Sequence, residues 1–145
     1  MLLEEDYKFL FEENYLNEYM LLVNSLKKEH RILQQKNKKL SDVNNKRSLF
    51  SSITHIDYST RVQIVNSENK FFYDLLKEYK LLTGNGMLIN TSFNVRGEPI
   101  VRSPYDALKC FANTEIDYLL MENYLIKKED QNLEFLKSEY KFEED

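Results

Sequence analysis

One stretch near the middle of the chain constrains the fold more than any other. Between residues 69 and 82, Phe71, Phe72, Leu75, Leu76, Tyr79 and Leu82 recur at helical spacing and share a face, with Lys70, Asp74, Lys77, Glu78 and Lys80 mostly opposite. Gly84 stands where a helix end favours a left-handed residue, and Asn85-Gly86 supplies a turn. Met87-Leu88-Ile89, three large apolar residues directly after that turn, reads as a buried strand. An amphipathic helix delivered straight into an apolar strand implies helices layered on a sheet, an α/β (α+β) arrangement.

The flanking sequence extends this pattern. Leu2, Leu3, Tyr7, Leu10 and Phe11 have helical spacing. Residues 19–22 with Val23 form a short apolar run readable as a buried strand, and residues 53–65 return to strand-like composition. Residues 27–52 are polar, rich in Asn, Lys and Ser and without a clean period, so they read as an irregular excursion. Ser103-Pro104-Tyr105-Asp106 is a helix start, with Ser as the cap, Pro at the first position and Asp three after the cap. That helix runs to about Ala112 and buries Leu108 and Phe111. Residues 118–121 and 124–126 flank Glu122-Asn123 as a hairpin or bulged strand. Residues 19–23, 62–65, 87–89 and 118–120 are expected in one sheet, with the 69–82 helix packed on it.

Composition bounds the class. The 145 residues are enough for one domain with its own core and hardly for two. No window approaches 18 consecutive apolar residues, and the acidic Glu4-Glu5-Asp6 is unlike the basic start of a signal peptide, so no membrane association is expected. The single Cys110 excludes an intrachain disulfide and a Cys-based zinc cage, and fits a reducing compartment, most simply the cytoplasm. His30 and His55 alone cannot build a His-rich metal site, and no metal site is expected in the chain. The net charge of -4 conceals a basic stretch, residues 27–47, with eight Lys/Arg against two acids. It lacks aromatic interleaving and is diluted by Asn and Gln, so a solvated connection is expected there rather than a nucleic-acid arm. Residues 128–145 form an acidic tail, with seven acids and three Lys.

Two segments carry residue types suited to chemistry. In the first, Asn90, Thr91, Ser92 and Asn94 follow the 87–89 strand and lead into Arg96-Gly97-Glu98-Pro99. Polar groups just past the C-terminal end of a strand lie where α/β sheets bind ligands. Hydroxyl and amide groups hydrogen-bond phosphate oxygens, Arg96 offers a charged planar fork, and Gly97 lets the backbone approach a ligand closely. A structural turn whose Asx and Ser/Thr side chains satisfy its own backbone is the other reading, and composition alone favours it. In the second segment, His55-Ile56-Asp57-Tyr58-Ser59-Thr60-Arg61, His55 and Asp57 would point to one side of an extended chain and could share a proton or hydrogen bond. Arg61 is a second candidate anion clamp, and an ordinary strand edge is the alternative. Cys110, amid Leu108 and Phe111 on the predicted helix, reads as core packing rather than a nucleophile.

These two segments resemble a known family. The run from Ile53 through His55, Asp57 and Arg61 to Gln63 is similar to the "THVDxxARVQ" stretch of the NodU/CmcH carbamoyltransferases. The run from Leu88 through Asn90, Ser92, Asn94, Arg96 and Pro99 to Val101 resembles that family's "LLNTSFNVRGEPIV" almost letter for letter. Ser103-Pro104-Tyr105-Asp106-Ala107 and the stretch from Asp117 to Leu125 match its "SPEDA" and "DYLVLGNYLV". The resemblance covers about residues 2–127.

It implies a single YrdC-like domain over residues 1–127, with a twisted mixed β-sheet flanked by helices, and the tail 128–145 outside it. It implies the C-terminal domain of a carbamoyltransferase that uses ATP, with Mg2+, and carbamoyl phosphate to make carbamoyl adenylate. A separate N-terminal carbamoyltransferase domain or subunit would pass the carbamoyl group to the hydroxyl of a small-molecule acceptor. By position, Ser92 and Asn94 match the Ser-x-Asn signature that holds nucleotide and phosphate, and Arg61 and Arg96 the arginines expected around carbamoyl phosphate. Asn90, Thr91, Gly97, His55 and Asp57 join the expected ligand-binding set. The family also carries a basic stretch ending in an "RPFAPS"-like segment just before the position of Leu2, so weak ligand binding is expected of the chain alone. A truncated, non-catalytic nucleotide- or anion-binding or assembly module is the alternative function.

Overall fold

A computed structural model describes residues 1–15, 17–33 and 45–137, and the elements are of the α+β class. The chain forms two compact units, Met1–Asn90 and Thr91–Asp145.

The first unit is organised around a very short strand, β1 (Leu2–Leu3). It pairs in parallel with β4 (Ile64–Val65), placing Leu2 opposite Ile64 and Leu3 opposite Val65. Successive strand side chains point to opposite faces, so each adjacent pair serves two cores at once. On one face Leu2 and Ile64 pack with Tyr7, Leu10, Phe11, Leu26 and Val62. On the other, Leu3 and Val65 meet Leu76, with Phe72, Tyr73 and Leu88 against them. Helix α1 (Glu4–Leu10) supplies the first core and helix α2 (Lys70–Thr83) the second. Three acids in the first turn of α1, Glu4, Glu5 and Asp6, complement the positive end of its dipole. Gly84 closes α2 at φ 78, the left-handed cap that its position predicts.

The strands differ from their sequence-based expectation. Met87–Ile89 makes no strand: Met87 forms one antiparallel bridge to Leu2, Leu88 N–H donates to the Met1 carbonyl at 3.0 Å, and Ile89 is exposed. Tyr19, Leu21 and Leu22 are exposed, and the strand β2 begins only at Val23 (Val23–Ser25). Met20 takes φ 56, and the buried Asn17 accepts from the Leu21 N–H and donates to the Leu22 carbonyl, which wraps this run into a loop. β2 pairs antiparallel with β3 (Ser59–Arg61), Val23 opposite Arg61. The single expected sheet is thus replaced, among the described residues, by three two-stranded pairs.

In the second unit, α3 (Pro104–Ala112) starts as its sequence predicts. Ser103 caps it by accepting from Asp106 N–H, and Pro104 takes the first position. It buries Ala107, Cys110 and Phe111. Strands β5 (Tyr118–Met121) and β6 (Tyr124–Lys127) form the expected hairpin around Glu122-Asn123, with Glu122 at φ 50. Leu119 and Ile126 face each other across it and pack on Ala107 and Phe111. A short helix, α4 (Glu134–Lys137), seats Leu136. Of the basic excursion, residues 34–44 lie outside the described residues, as do residues 138–145 of the tail.

Candidate functional site

The boundary between the two units falls inside the polar segment, between Asn90 and Thr91. Asn90 closes the first unit, and its amide donates to the side-chain oxygen of Gln63 at 2.6 Å. From Thr91 the chain enters a loop tied at its base by two apolar residues. Phe93 and Val101 both pack against the α3–β5 core, and Val101 N–H donates to the Phe93 carbonyl at 3.0 Å. The polar residues between these anchors form the loop's outer part.

A tight turn makes its tip. Glu98 N–H donates to the Val95 carbonyl at 3.0 Å, with Arg96 and Gly97 at the two central positions and Gly97 at φ 83. Positive φ at the second central position is the signature of a type II turn, which favours glycine there. The Asn94 amide pins this turn from inside, donating to the Val95 carbonyl at 3.1 Å and the Glu98 carbonyl at 2.9 Å. Arg96 and Gly97 are exposed on it, and Thr91 and Ser92, just before the Phe93 anchor, are exposed as well. Asn94 therefore acts here as a structural staple.

Beside the loop lies a cleft of about 140 Å3 lined by Glu98, Arg102, Asp106, Lys109 and Cys110, among others. Ligand pockets for drug-sized molecules run to roughly 300–1,000 Å3, so this one cannot enclose a nucleotide. Arg102 and Lys109, which the sequence reading did not single out, bring two cations to it; Arg102 directly precedes the Ser103 cap and Lys109 lies in the last turn of α3, placements that carry no sequence signal of a site. The Ser103 hydroxyl donates to the Asp106 carboxylate at 2.7 Å and holds that acid below the usual carboxylate range. Burial pushes the Cys110 thiol up, which suits packing rather than nucleophilic work.

The second candidate cluster is built differently from its expectation. His55-Ile56-Asp57-Tyr58 is a turn, closed by Tyr58 N–H donating to the His55 carbonyl at 3.0 Å, with Tyr58 at φ 65. The segment is not extended, so the basis for pointing His55 and Asp57 to one side is absent. Both instead engage Ser59: His55 Nδ1 lies 2.9 Å from its hydroxyl, and Asp57 Oδ1 accepts from its N–H at 2.9 Å. The Ser59 contacts hold the Asp57 carboxyl low. Arg61 is exposed at the end of β3 and donates through Nε and a terminal nitrogen to the Met20 carbonyl, at 3.2 and 2.8 Å. It holds the 17–22 loop in place. Among the described residues, no group of three or more His, Cys, Asp or Glu side chains could hold a metal ion, and no helix is long and apolar enough to cross a membrane.

Comparison with known proteins decides what this loop belongs to. Residues 1–128 match the family described as carbamoyltransferase C-terminus. The chain belongs to that family. It is similar to an uncharacterised protein of Synechocystis, 44% identical over 126 residues that are 83% of this chain and 20% of the relative. It is 37% identical over 127 residues to an uncharacterised protein of Methanocaldococcus jannaschii, covering 87% of this chain and 18% of that protein. It is also 40% identical over 84 residues to the nodulation protein NolNO of Sinorhizobium fredii, covering 57% of this chain and 12% of that protein. The chain thus spans a fifth or less of the curated relatives it matches.

Proposed function

We propose that this carbamoyltransferase C-terminal segment supplies the phosphate-binding part of an enzyme that makes carbamoyl adenylate from ATP and carbamoyl phosphate. The observation that carries the reading is the turn at residues 95–98. Asn94 fixes its backbone from within, Arg96 stands exposed on it, and Ser92 is exposed two residues before Asn94. Water cleaves carbamoyl phosphate to carbamate and phosphate; a carbamate oxygen then attacks the α-phosphorus of ATP and pyrophosphate leaves, so the protein's task is to position and neutralise these anions rather than to attack. Arg96 suits that task, because its planar fork can grip two oxygens of one phosphate. Thr91 and Ser92 would donate to remaining oxygens. ATP would bring its Mg2+ as a companion of the substrate, and transfer to the acceptor hydroxyl belongs to the larger remainder that the relatives carry.

A second reading has its own support. Arg61, His55, Asp57 and Asn94 are all engaged in internal hydrogen bonds, as expected of a binding or assembly module without catalysis.

The test is a full-length hybrid in which this chain replaces the matching 126 residues of the Synechocystis relative. Pyrophosphate release that requires both ATP and carbamoyl phosphate supports the adenylation reading. A folded hybrid that binds either compound without releasing pyrophosphate supports the binding module.

A further inference from the structure

Helix α2 carries more apolar surface than its own unit covers. At about 100° per residue, Phe72, Tyr73 and Leu76 lie on one side of the helix and Phe71, Leu75 and Leu82 on an adjoining one. The first set packs on Leu3 and Val65. The second remains open, with Phe71 59%, Leu75 43% and Leu82 84% exposed. Tyr79 extends that strip on one side, and Glu78 followed by Asp74 borders it on the other. The apolar sector is therefore about twice as wide as burial within the unit requires. A contiguous open strip of this kind marks an interaction surface, whereas scattered single apolar residues do not.

We propose that the Phe71–Leu75–Leu82 strip is the face on which the remaining part of a carbamoyltransferase packs, an inference that rests on the family reading above. The relatives supply the occupant. This chain accounts for only 20% and 18% of two of them, and the matched family is described as a C-terminus, so each carries a large further body of protein. The strip has the form of one side of a helix-in-groove contact, with anchors one, two or three turns apart. Its charged edge, Glu78 and Asp74, is acidic, which argues against a nucleic acid or an anionic membrane as the occupant and leaves apolar fit to a protein surface.

The hybrid with the Synechocystis relative tests this by hydroxyl-radical footprinting beside the 145-residue chain alone. Phe71, Leu75 and Leu82 should label readily in the chain alone and several-fold less in the hybrid, with Phe72 and Leu76 protected in both. Leu82→Lys should leave the thermal midpoint of the chain alone unchanged while restoring labelling of Phe71 and Leu75 in the hybrid. Lys70→Ala, outside the strip, should leave the footprint as it is. Equal labelling of the strip in hybrid and isolated chain would overturn the proposal. Protection in the isolated chain that grows with concentration and accompanies a dimer in sedimentation would overturn it too, by making a second copy the occupant. Protection without pyrophosphate release would keep the docking face and refute only the adenylation reading.

Discussion

Gly97 has φ 83 and nothing within 4 Å of the position a Cβ would take, so its replacement tests backbone conformation without steric conflict. Gly97→Ala should lower stability by about 1–2 kcal/mol, and Gly97→Asn by less, measured as urea midpoints. A neutral Gly97→Ala would show that the turn does not depend on the left-handed position. Ser103→Ala removes the cap of α3 and should cost about 1 kcal/mol. The same variant has a pH signature. The Ser103 hydroxyl depresses the Asp106 carboxyl below 3.8, so the stabilisation is complete above the unfolded value and is lost as pH falls through the lower folded value. In a carbon-13 titration Asp106 should move back toward 3.8 when Ser103 becomes Ala. At this scale the sequence was readable wherever a residue type has one dominant local use, as Gly84, Ser103 and Pro104 do. It was not readable for Asn94 or Arg61, whose amide and guanidinium suit a ligand or a backbone carbonyl equally well. Only the fold decides which one is in reach.

The helices were legible as elements because 3.6-residue periodicity and caps are local signals, whereas the strands were not. β1 and β4 are two residues each, too short to show alternation, and their burial comes from residues more than sixty positions apart in sequence. The apolar runs at residues 19–22 and 87–89 have strand composition, but Asn17 with Met20 turns the first into a loop. The second leaves Ile89 exposed after a single bridge. One contact binds the elements of the first unit in a way no pattern announces. Lys80 on α2 reaches Asp6 on α1 at 2.6 Å, and a Cβ at Gly86 would lie 2.2 Å from the other oxygen of that carboxylate. Gly86→Ala must therefore displace Asp6 and loosen its pair with Lys80. Its thermal midpoint should fall clearly below that of Lys80→Ala, because a partly exposed ion pair contributes little while the added methyl also presses on the Leu3 and Lys80 side chains. Equal midpoints for the two variants would show that the packing around Gly86 yields without strain.

For the molecule as a whole, the family was readable from the block between Leu88 and Val101, since a long, nearly unbroken match leaves little room for coincidence. The placement of its chemistry was less readable, because a match names residue types and not the partners they take in the fold. The 145-residue chain should bind ATP weakly on its own, since the cleft beside the loop, at about 140 Å3, is smaller than a nucleotide needs. Calorimetry on the chain and on the hybrid compares the two directly, and tight binding by the chain alone would show that its walls are sufficient. The central claim is that Arg96 meets a phosphate rather than holding the turn. Pyrophosphate release by the hybrid, measured with ATP and carbamoyl phosphate for the parent, Arg96→Ala and Arg96→Lys, tests it most directly. A charge-assisted contact contributes roughly 1.5–3 kcal/mol, so Arg96→Ala should lose about tenfold to over a hundredfold in rate per folded molecule. Arg96→Lys should recover little of that loss, because an ammonium lacks the bidentate fork. A lowered midpoint with undiminished pyrophosphate release per folded molecule would contradict the account.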